Sequence, residues 1–221
     1  MYVNAAFKTE DAAAWAYVAE RGFGAIVAID NGTPVSAHVP LLVTGDATAR
    51  RRVEFHVARA NPIHHVIAAN PRVLVTVNGP DAYISPDWYV SADQVPTWNY
   101  IAAHLTGTAR AMAPEQALDH VERMSLSFER RLLPKKPWST AKMTAQKRAM
   151  MLAAIVPMEI EIERIECSFK LSQNKTVTDR MEAARMLDWR GTPAERGMAQ
   201  AMRAHLKVPV AGAFSAKRET V

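Results

Sequence analysis

The strongest constraint on the fold is the order of the short apolar segments, most of which are separated by turns rather than by helices. Asp30-Asn31-Gly32 lies between two strand-like runs, and an Asn-Gly pair in that position predicts a β-hairpin. Regular strand–helix alternation and a glycine-rich first turn, which a doubly wound sheet requires, are both lacking. About six strands therefore favour a closed or half-open barrel. The predicted strands are 23–29, 34–43, 51–57, 73–77, 98–111 and 158–163.

Helix signals are fewer and are placed around these strands. Thr9 is predicted to cap a first helix over 10–21 that ends at Gly22. Thr192-Pro193-Ala194-Glu195 matches a capping box and predicts the start of the last helix. Asn78-Gly79-Pro80 is predicted to end the fourth strand, ahead of a loop over 81–96. Further helices are predicted over 61–69, 114–131 and 145–154.

Composition sets outer limits on the class of protein. Of the 221 residues, 49% are hydrophobic and 22% charged, which suits a folded core. We expect one domain over 1–206 and a flexible tail over 207–221. No apolar run approaches the roughly 18 residues that span a bilayer, and the single cysteine, Cys167, favours a reducing cytoplasm. The net charge of +5 favours anionic partners but does not separate nucleotide, phosphate cofactor and DNA.

The segment from His56 to His65 reads as a strand that runs into a helix N-terminus beside a cation. Asn61 is a favoured N-cap residue and Pro62 suits the first helical position, so the free N–H groups of that turn can bind an anion such as phosphate. Arg59 lies two residues upstream and can clamp the same anion. The alternative is that this segment is an ordinary capped helix with a surface arginine. For His56, the alternative to ligand binding is a structural role.

Three more segments combine residues that bind ligands in other proteins. His38-Val39-Pro40-Leu41 places a histidine and a proline in a strand, which implies an edge strand with unpaired backbone. Flat aromatics and an amide can line an aromatic ring system, and a lysine with hydroxyl and amide groups can bind phosphate or a polar ring edge. The alternatives are a packed barrel corner or subunit contact for the aromatic segment and a solvated turn for the lysine segment. These segments contain Trp98, Asn99 and Tyr100, and Lys170, Ser172, Gln173 and Asn174.

The sequence lacks the motifs that are typical of several other kinds of site. His64 and His65 are adjacent and point in different directions on a helix, and no cysteine pair or His-Glu-x-x-His spacing accompanies them, so zinc is not predicted. Gly-x-Ser-x-Gly and Walker motifs are missing, and the aromatics and cations do not form the interleaved stripe of a single-strand nucleic-acid binder.

In this order, the segments resemble the PaiB family of FMN-binding split-barrel proteins. The match rests on 1–7, 38–41, 56–62, 79–89, 95–100 with His104 and Gly107, and 169–174 followed by Asp179-Arg180. The resemblance implies a mainly β fold with appended helices, a six-stranded split β-barrel related to the pyridoxamine phosphate oxidase fold. It also implies a homodimer with FMN at the subunit interface. The FMN phosphate would lie at Arg59 and Asn61-Pro62, and the remaining segments would line the ring.

The family resemblance implies a negative transcriptional regulator, with DNA contact either direct or indirect. No convincing helix-turn-helix pair is visible, and the last helix, with Arg196 and Arg203, is equally a packing element. The alternative function is an FMN-dependent oxidoreductase that uses a nicotinamide donor, because split barrels commonly hold FMN for hydride or electron transfer. In that case His104 and Tyr100 are the candidate proton donors, and whether the protein is an enzyme stays open.

Overall fold

The computed structural model describes residues 1–45 and 51–206; the tail predicted over 207–221 lies outside these ranges. The described chain forms seven strands and six α-helices. The strands are β1 (Phe23–Asp30), β2 (Thr33–Pro40), β3 (Leu42–Thr44), β4 (Arg52–Ala58), β5 (Arg72–Ile84), β6 (Thr97–Ala111) and β7 (Ile155–Lys170). The helices are α1 (Asp11–Arg21), α2 (Ile63–Ala69), α3 (Ala117–Glu129), α4 (Ala145–Ala153), α5 (Val177–Arg190) and α6 (Pro193–Leu206).

All seven strands belong to one sheet, in the order β2-β1-β5-β6-β7-β4-β3. The predicted hairpin is confirmed: β1 and β2 pair antiparallel from Asp30 opposite Thr33 to Phe23 opposite Pro40. Its turn has positive φ at Asn31 (47°) and Gly32 (85°), as a tight primed turn requires. The mainly β class is thus confirmed, with β2 at the predicted edge.

The strand predicted over 34–43 is two strands, which is why seven are found where six were expected. The break falls at Leu41, the residue after the last β1–β2 pair, Phe23 with Pro40; its N–H still donates to the Gly22 carbonyl at 2.9 Å. The short β3 then pairs with β4. Strand alternation cannot show such a change of partner, because both pieces keep an extended backbone.

Local capping signals were mostly correct. Gly22 ends α1 in the left-handed conformation (φ 59°), and Thr192 and Glu195 bond each other reciprocally before α6. Thr9 does not cap α1: the N-cap residue is Glu10, with no side-chain cap. The helix-start prediction at Thr9 was therefore wrong by one residue.

One predicted chain break was wrong, and one helix was missed. Strand β5 continues through Asn78-Gly79-Pro80 to Ile84, because the proline φ fits an extended strand and only its missing N–H is lost. Helix α5 was not predicted at all, although Thr176 and Asp179 form a cap: the Asp179 N–H donates to Thr176 Oγ1 at 3.1 Å.

The chain contacts divide into two units. The first comprises 1–79 and 102–168, and its fully buried side chains include Ile26, Phe55 and Met158. The second comprises 80–101 and the chain from 169 onward, with Leu187, Met198 and Met202 fully buried. Within the described ranges, no helix combines the length and the apolar composition that crossing a bilayer requires.

Candidate functional site

His56 lies at the outer end of a chain of hydrogen bonds in the first unit. The buried carboxylate of Glu54 on β4 accepts two hydrogen bonds from the Arg123 guanidinium (2.9 and 2.8 Å) and one from His120 Nδ1 (2.9 Å). The other ring nitrogen of His120, which is fully buried, lies 3.1 Å from His56 Nδ1. The network thus connects a buried ion pair to a half-buried imidazole.

The electrostatics of this network fix the direction of its hydrogen bonds. Burial raises the pKa of Glu54, but the hydrogen bonds from His120 and Arg123 outweigh burial and hold it below its ordinary value. Burial, together with His120, lowers the pKa of His56. An ionised Glu54 accepts a hydrogen bond from the Nδ1–H of His120, so in a neutral His120 ring Nε2 accepts from His56 Nδ1–H. His56 therefore presents an unprotonated Nε2.

Sequence reasoning missed Glu54, His120 and Arg123. His120 and Arg123 are three residues apart on α3, which places them on one helix face. Spacing does not show which strand that face covers, so the pairing with Glu54 had no sequence signal.

The predicted phosphate clamp is partly occupied by contacts within the chain. Arg59 donates from Nε to the carbonyl of Ala153 (2.7 Å) and from Nη2 to that of Ile155 (2.9 Å). Asn61 Oδ1 caps the N–H of Ile63 at 3.0 Å, so α2 begins one residue after Pro62. Nη1 of Arg59 makes no hydrogen bond within the described chain, and it remains available to an anion.

Arg59 also borders a largely apolar cleft of about 530 Å³ in the first unit. Its walls include Met112, Leu152 and Pro157. A flat apolar ligand with one anionic group fits this combination of surfaces.

The segment His38 to Leu41 lies on and just after the edge strand β2. His38 is exposed, and its ring stacks on Phe23 with centroids 6.3 Å apart. Val39 and Leu41 are buried, and Pro40 is half-buried. Only the His38 side chain and the outer backbone of this segment are therefore open to a ligand.

In the second unit, two of the predicted segments come together. Lys170 Nζ donates to Thr97 Oγ1 at 2.7 Å and lies 6.0 Å from the centroid of the Tyr100 ring. Trp98 keeps 55% of its surface exposed and meets Tyr83 edge to face at 6.1 Å. Exposed aromatics beside a lysine form a surface suited to a flat, anionic ligand.

Asn99 lies on the opposite face of β6 from Trp98 and Tyr100 because side chains alternate along a strand. It is fully buried, donates from Nδ2 to Ser172 Oγ (2.9 Å) and lies 3.5 Å from Met202 Sδ. Tyr89 completes this group: its hydroxyl is 3.4 Å from Ser172 Oγ, and burial raises its pKa. Asn99 and Ser172 thus hold each other in the interior.

Gln173 and Asn174, the last two predicted site residues, differ in whether their side chains are hydrogen-bonded within the chain. Gln173 bonds its own loop, accepting from the Leu171 N–H at 2.8 Å and donating to the Phe169 carbonyl. Asn174 is exposed and has no side-chain hydrogen bond in the described chain. Gln173 therefore shapes the loop, and Asn174 keeps its amide for other contacts.

The fold is shared with solved structures of flavin-binding split-barrel type. A FAD- and haem-binding protein of Mycobacterium smegmatis aligns with a TM-score of 0.51 at 15% identity, over 73% of this chain and 72% of its own. The conserved hypothetical protein Rv2991 of Mycobacterium tuberculosis aligns with a TM-score of 0.55 at 13% identity, over 80% and 94%. Such identities establish the fold alone, and the split-barrel prediction is confirmed.

The family is established by sequence. Residues 1–164 match the family described as "Putative FMN-binding domain". Over 208 residues the chain is 33% identical to the Bacillus subtilis protein named "Protease synthase and sporulation protein PAI 2", covering 94% of this chain and 99% of that one. The protein belongs to this PaiB-type FMN-binding family, which confirms the predicted family and its cofactor, FMN.

Proposed function

We propose that the protein is an FMN-binding homodimer that acts as a negative regulator of transcription. The observation that carries the proposal is the extent of the similarity to PAI 2, which spans almost the whole of both chains. A protein similar over its full length keeps the same arrangement of binding segments, whereas a shared domain alone would not. The relative's name refers to sporulation and protease synthesis, which fits a regulatory role.

Each unit, taken by itself, offers groups that we assign as candidate FMN contacts. In the first, Arg59 keeps a guanidinium donor for phosphate beside the apolar cleft, and His56 offers an acceptor nitrogen. In the second, Trp98 and Tyr100 offer aromatic surface, and Lys170 lies near the Tyr100 ring. These residues fit the anionic and aromatic parts of FMN, which supplies redox chemistry when bound.

The phosphate assignment has a direct test. Arg59→Ala should weaken FMN binding by about tenfold to a hundredfold, because a hydrogen bond to a charged group contributes about 1.5–3 kcal/mol. Riboflavin, which lacks the phosphate, should bind the variant and the wild type equally. Arg72→Ala removes an exposed arginine that pairs with Glu163 and serves as the matched control. Equal losses for FMN and riboflavin would contradict the assignment.

The homodimer proposal rests on exposed apolar side chains of the second unit. Tyr83, Val90, Val95 and Trp98 are 46%, 67%, 69% and 55% exposed. Apolar side chains clustered in sequence and open to solvent are typical of subunit interfaces. Light scattering after size-exclusion chromatography should give twice the chain mass for the wild type, and a lower mass for Trp98→Glu. A wild type that elutes as a monomer would refute the proposal.

For DNA, we propose an indirect contact. Helix α6 packs Met198, Ala199 and Met202 inward, and Arg203 pairs with Asp188 on α5. Only Arg196 remains as an exposed cation of the two considered from the sequence, which is too little for a recognition helix. A gel-shift titration with upstream DNA, repeated at raised salt, should show binding that salt abolishes. Salt-resistant, sequence-specific binding would establish direct contact.

A second candidate function, an FMN-dependent oxidoreductase with a nicotinamide donor, is favoured by one observation. The Arg123–Glu54–His120–His56 network ends on an imidazole whose Nε2 is an acceptor, and oxidoreductases use acid–base groups of this kind. Anaerobic mixing of the FMN-loaded protein with NADH or NADPH tests it. Bleaching of the flavin absorbance supports the oxidoreductase, and an unchanged spectrum excludes both donors.

A further inference from the structure

Arg180 on α5 is a buried cation whose donors are largely unused. Only 7% of its surface is exposed. Its Nη2 lies 3.5 Å from the main-chain carbonyl of Met202 and 3.3 Å from His205 Nδ1, both on α6. The first distance is at the outer limit for a hydrogen bond. Its Nε is buried and has no hydrogen-bond partner in the described chain.

No carboxylate compensates this charge within residues 1–45 and 51–206. The adjacent Asp179 is fully engaged elsewhere: it accepts from the N–H groups of Val90 (2.8 Å) and Ser91 (2.9 Å) and from the Thr176 hydroxyl (2.9 Å). Arg180 forms none of the ion pairs found in the described ranges, and burial lowers its pKa. Buried charges in proteins are otherwise paired or bound to an ion.

The contacts from α6 compensate only part of the charge. The Met202 carbonyl lies in the last turn of that helix, where the helix dipole contributes a partial negative charge. His205 offers one neutral acceptor, since burial and the neighbouring Arg180 lower its pKa. A guanidinium has five N–H donors in a planar fork, and this fork matches the two oxygens of a carboxylate or phosphate.

Other buried polar groups lie nearby in the same unit. Asn99 touches the side chain of Met202, whose carbonyl faces Arg180, and Asn99 continues to Ser172 and Tyr89. A polar interior next to an unpaired cation is typical of a ligand site. We propose that Arg180 binds one oxyanion, a carboxylate or phosphate group, of a small-molecule ligand.

Two sources share this chemistry: the phosphate of FMN and an oxyanion on a separate ligand. The first source rests on the proposed flavin function and would replace Arg59 as the phosphate contact, whereas the second is independent of that function. The preference for FMN over riboflavin distinguishes the two sources, because riboflavin has the FMN ring without its phosphate.

The experiment uses the full-length wild type, Arg180→Met and Arg185→Met. Arg185 lies on the same helix, pairs with Glu182 at the surface and serves as the matched control. Arg180→Met should fold, because replacing a buried charge by an apolar side chain of similar length is often neutral or stabilising. Circular dichroism checks this. Thermal unfolding is measured in sodium phosphate, sodium acetate and sodium chloride at equal ionic strength, with and without saturating FMN.

Without FMN, phosphate or acetate should raise the melting temperature of wild type and of Arg185→Met above its value in chloride. The shift should be clearly smaller in Arg180→Met, where only the Arg59 donor of the first unit is left for the anion. Two results together identify the cofactor phosphate. In the wild type saturated with FMN, phosphate no longer raises the melting temperature, and in Arg180→Met the preference for FMN over riboflavin falls at least tenfold. A phosphate or acetate effect that persists in the FMN-loaded wild type, with the preference unchanged in Arg180→Met, identifies a separate ligand.

Equal melting temperatures of the wild type in all three salts would overturn the proposal, as would the same phosphate and acetate shifts in Arg180→Met. Glu219→Gln tests the acidic side chain nearest the chain end, which lies outside the described ranges. A phosphate or acetate effect that appears only in Glu219→Gln would also overturn it, because Arg180 would then be paired within the chain. If no variant binds flavin but the phosphate effect remains, the proposed function fails and the oxyanion site stands.

Discussion

Glu54→Gln should destabilise the protein more than any change at a surface ion pair. Removing one partner of a buried, hydrogen-bonded ion pair costs about 3–5 kcal/mol. Arg123 keeps 38% of its side chain exposed and regains hydration when released, whereas His120 is fully buried and does not. We therefore expect a loss near the lower end, about 3 kcal/mol, which lowers the melting temperature by about 6–12 °C for a chain of this size.

The assay is urea unfolding at pH 7 and 25 °C, followed by far-ultraviolet circular dichroism. Glu182→Gln removes an exposed partner of Arg185 three residues away and should cost about 0.5 kcal/mol or less. A double-mutant cycle sharpens the result: Arg123→Met should cost less in the Glu54→Gln background than in wild type. Equal losses for Glu54→Gln and Glu182→Gln would refute the reasoning.

The pH dependence gives a second check of the same variant. Because the folded pKa of Glu54 is lowered, its stabilising contribution is fully present above the unfolded pKa of about 4.3 and is lost as the pH falls through the folded pKa. The stability difference between wild type and Glu54→Gln should therefore shrink in acid. A difference that grows below pH 4 would contradict the ionised state of Glu54.

Four further predictions concern single sites. His56→Gln should reduce the loss of stability between about pH 7 and 5, because a lowered histidine pKa penalises folding as the pH drops; parallel stability curves would contradict this. Asp179→Asn should destabilise the protein at pH 7 and flatten its acid unfolding between about pH 4 and 2, since the folded pKa is about 2; an unchanged acid transition would contradict this. Gly107→Ala should cost about 1–3 kcal/mol in urea unfolding, because a Cβ there would lie 2.1 Å from the Glu161 carbonyl oxygen; Gly32→Ala, whose Cβ meets nothing within 4 Å, separates this clash from backbone strain. Cys167 should resist thiol reagents at pH 8 until the protein unfolds, because burial raises its pKa to about 12; rapid native labelling would contradict this.

Local signals in the sequence predicted local structure well. The Asn31-Gly32 turn, the Gly22 helix end and the Thr192–Glu195 capping box each depend on backbone conformation or on bonds within four residues, and each is present as predicted. Alternating polarity likewise located β6 and β7. These features need no knowledge of what the element packs against.

The errors occur where a distant partner decides the outcome. Strand β3 is separate from β2 because it pairs with β4, and β5, which lies between β1 and β6 in the sheet, continues past Pro80 to Ile84. The Glu54–His120 pair joins a strand to a helix 66 residues away. No periodicity within either segment contains that information.

In the candidate site, sequence reasoning identified suitable residue types but could not show which of them are already hydrogen-bonded within the chain. Residue type marked Arg59, Asn61, Asn99 and Gln173 as ligand-binding groups, but each satisfies much of its hydrogen bonding within its own unit. Donors and acceptors left over by internal networks are the ones that bind ligands, since a polar group already satisfied gains little from a new partner. On this criterion the open groups of the described chain include Nη1 of Arg59, Nε2 of His56 and Nε of Arg180. His56 lies on β4 and Arg59 directly follows it, and both were predicted from sequence. Arg180 became visible only once α5 and α6 were seen to pack with no carboxylate paired to it in the described ranges.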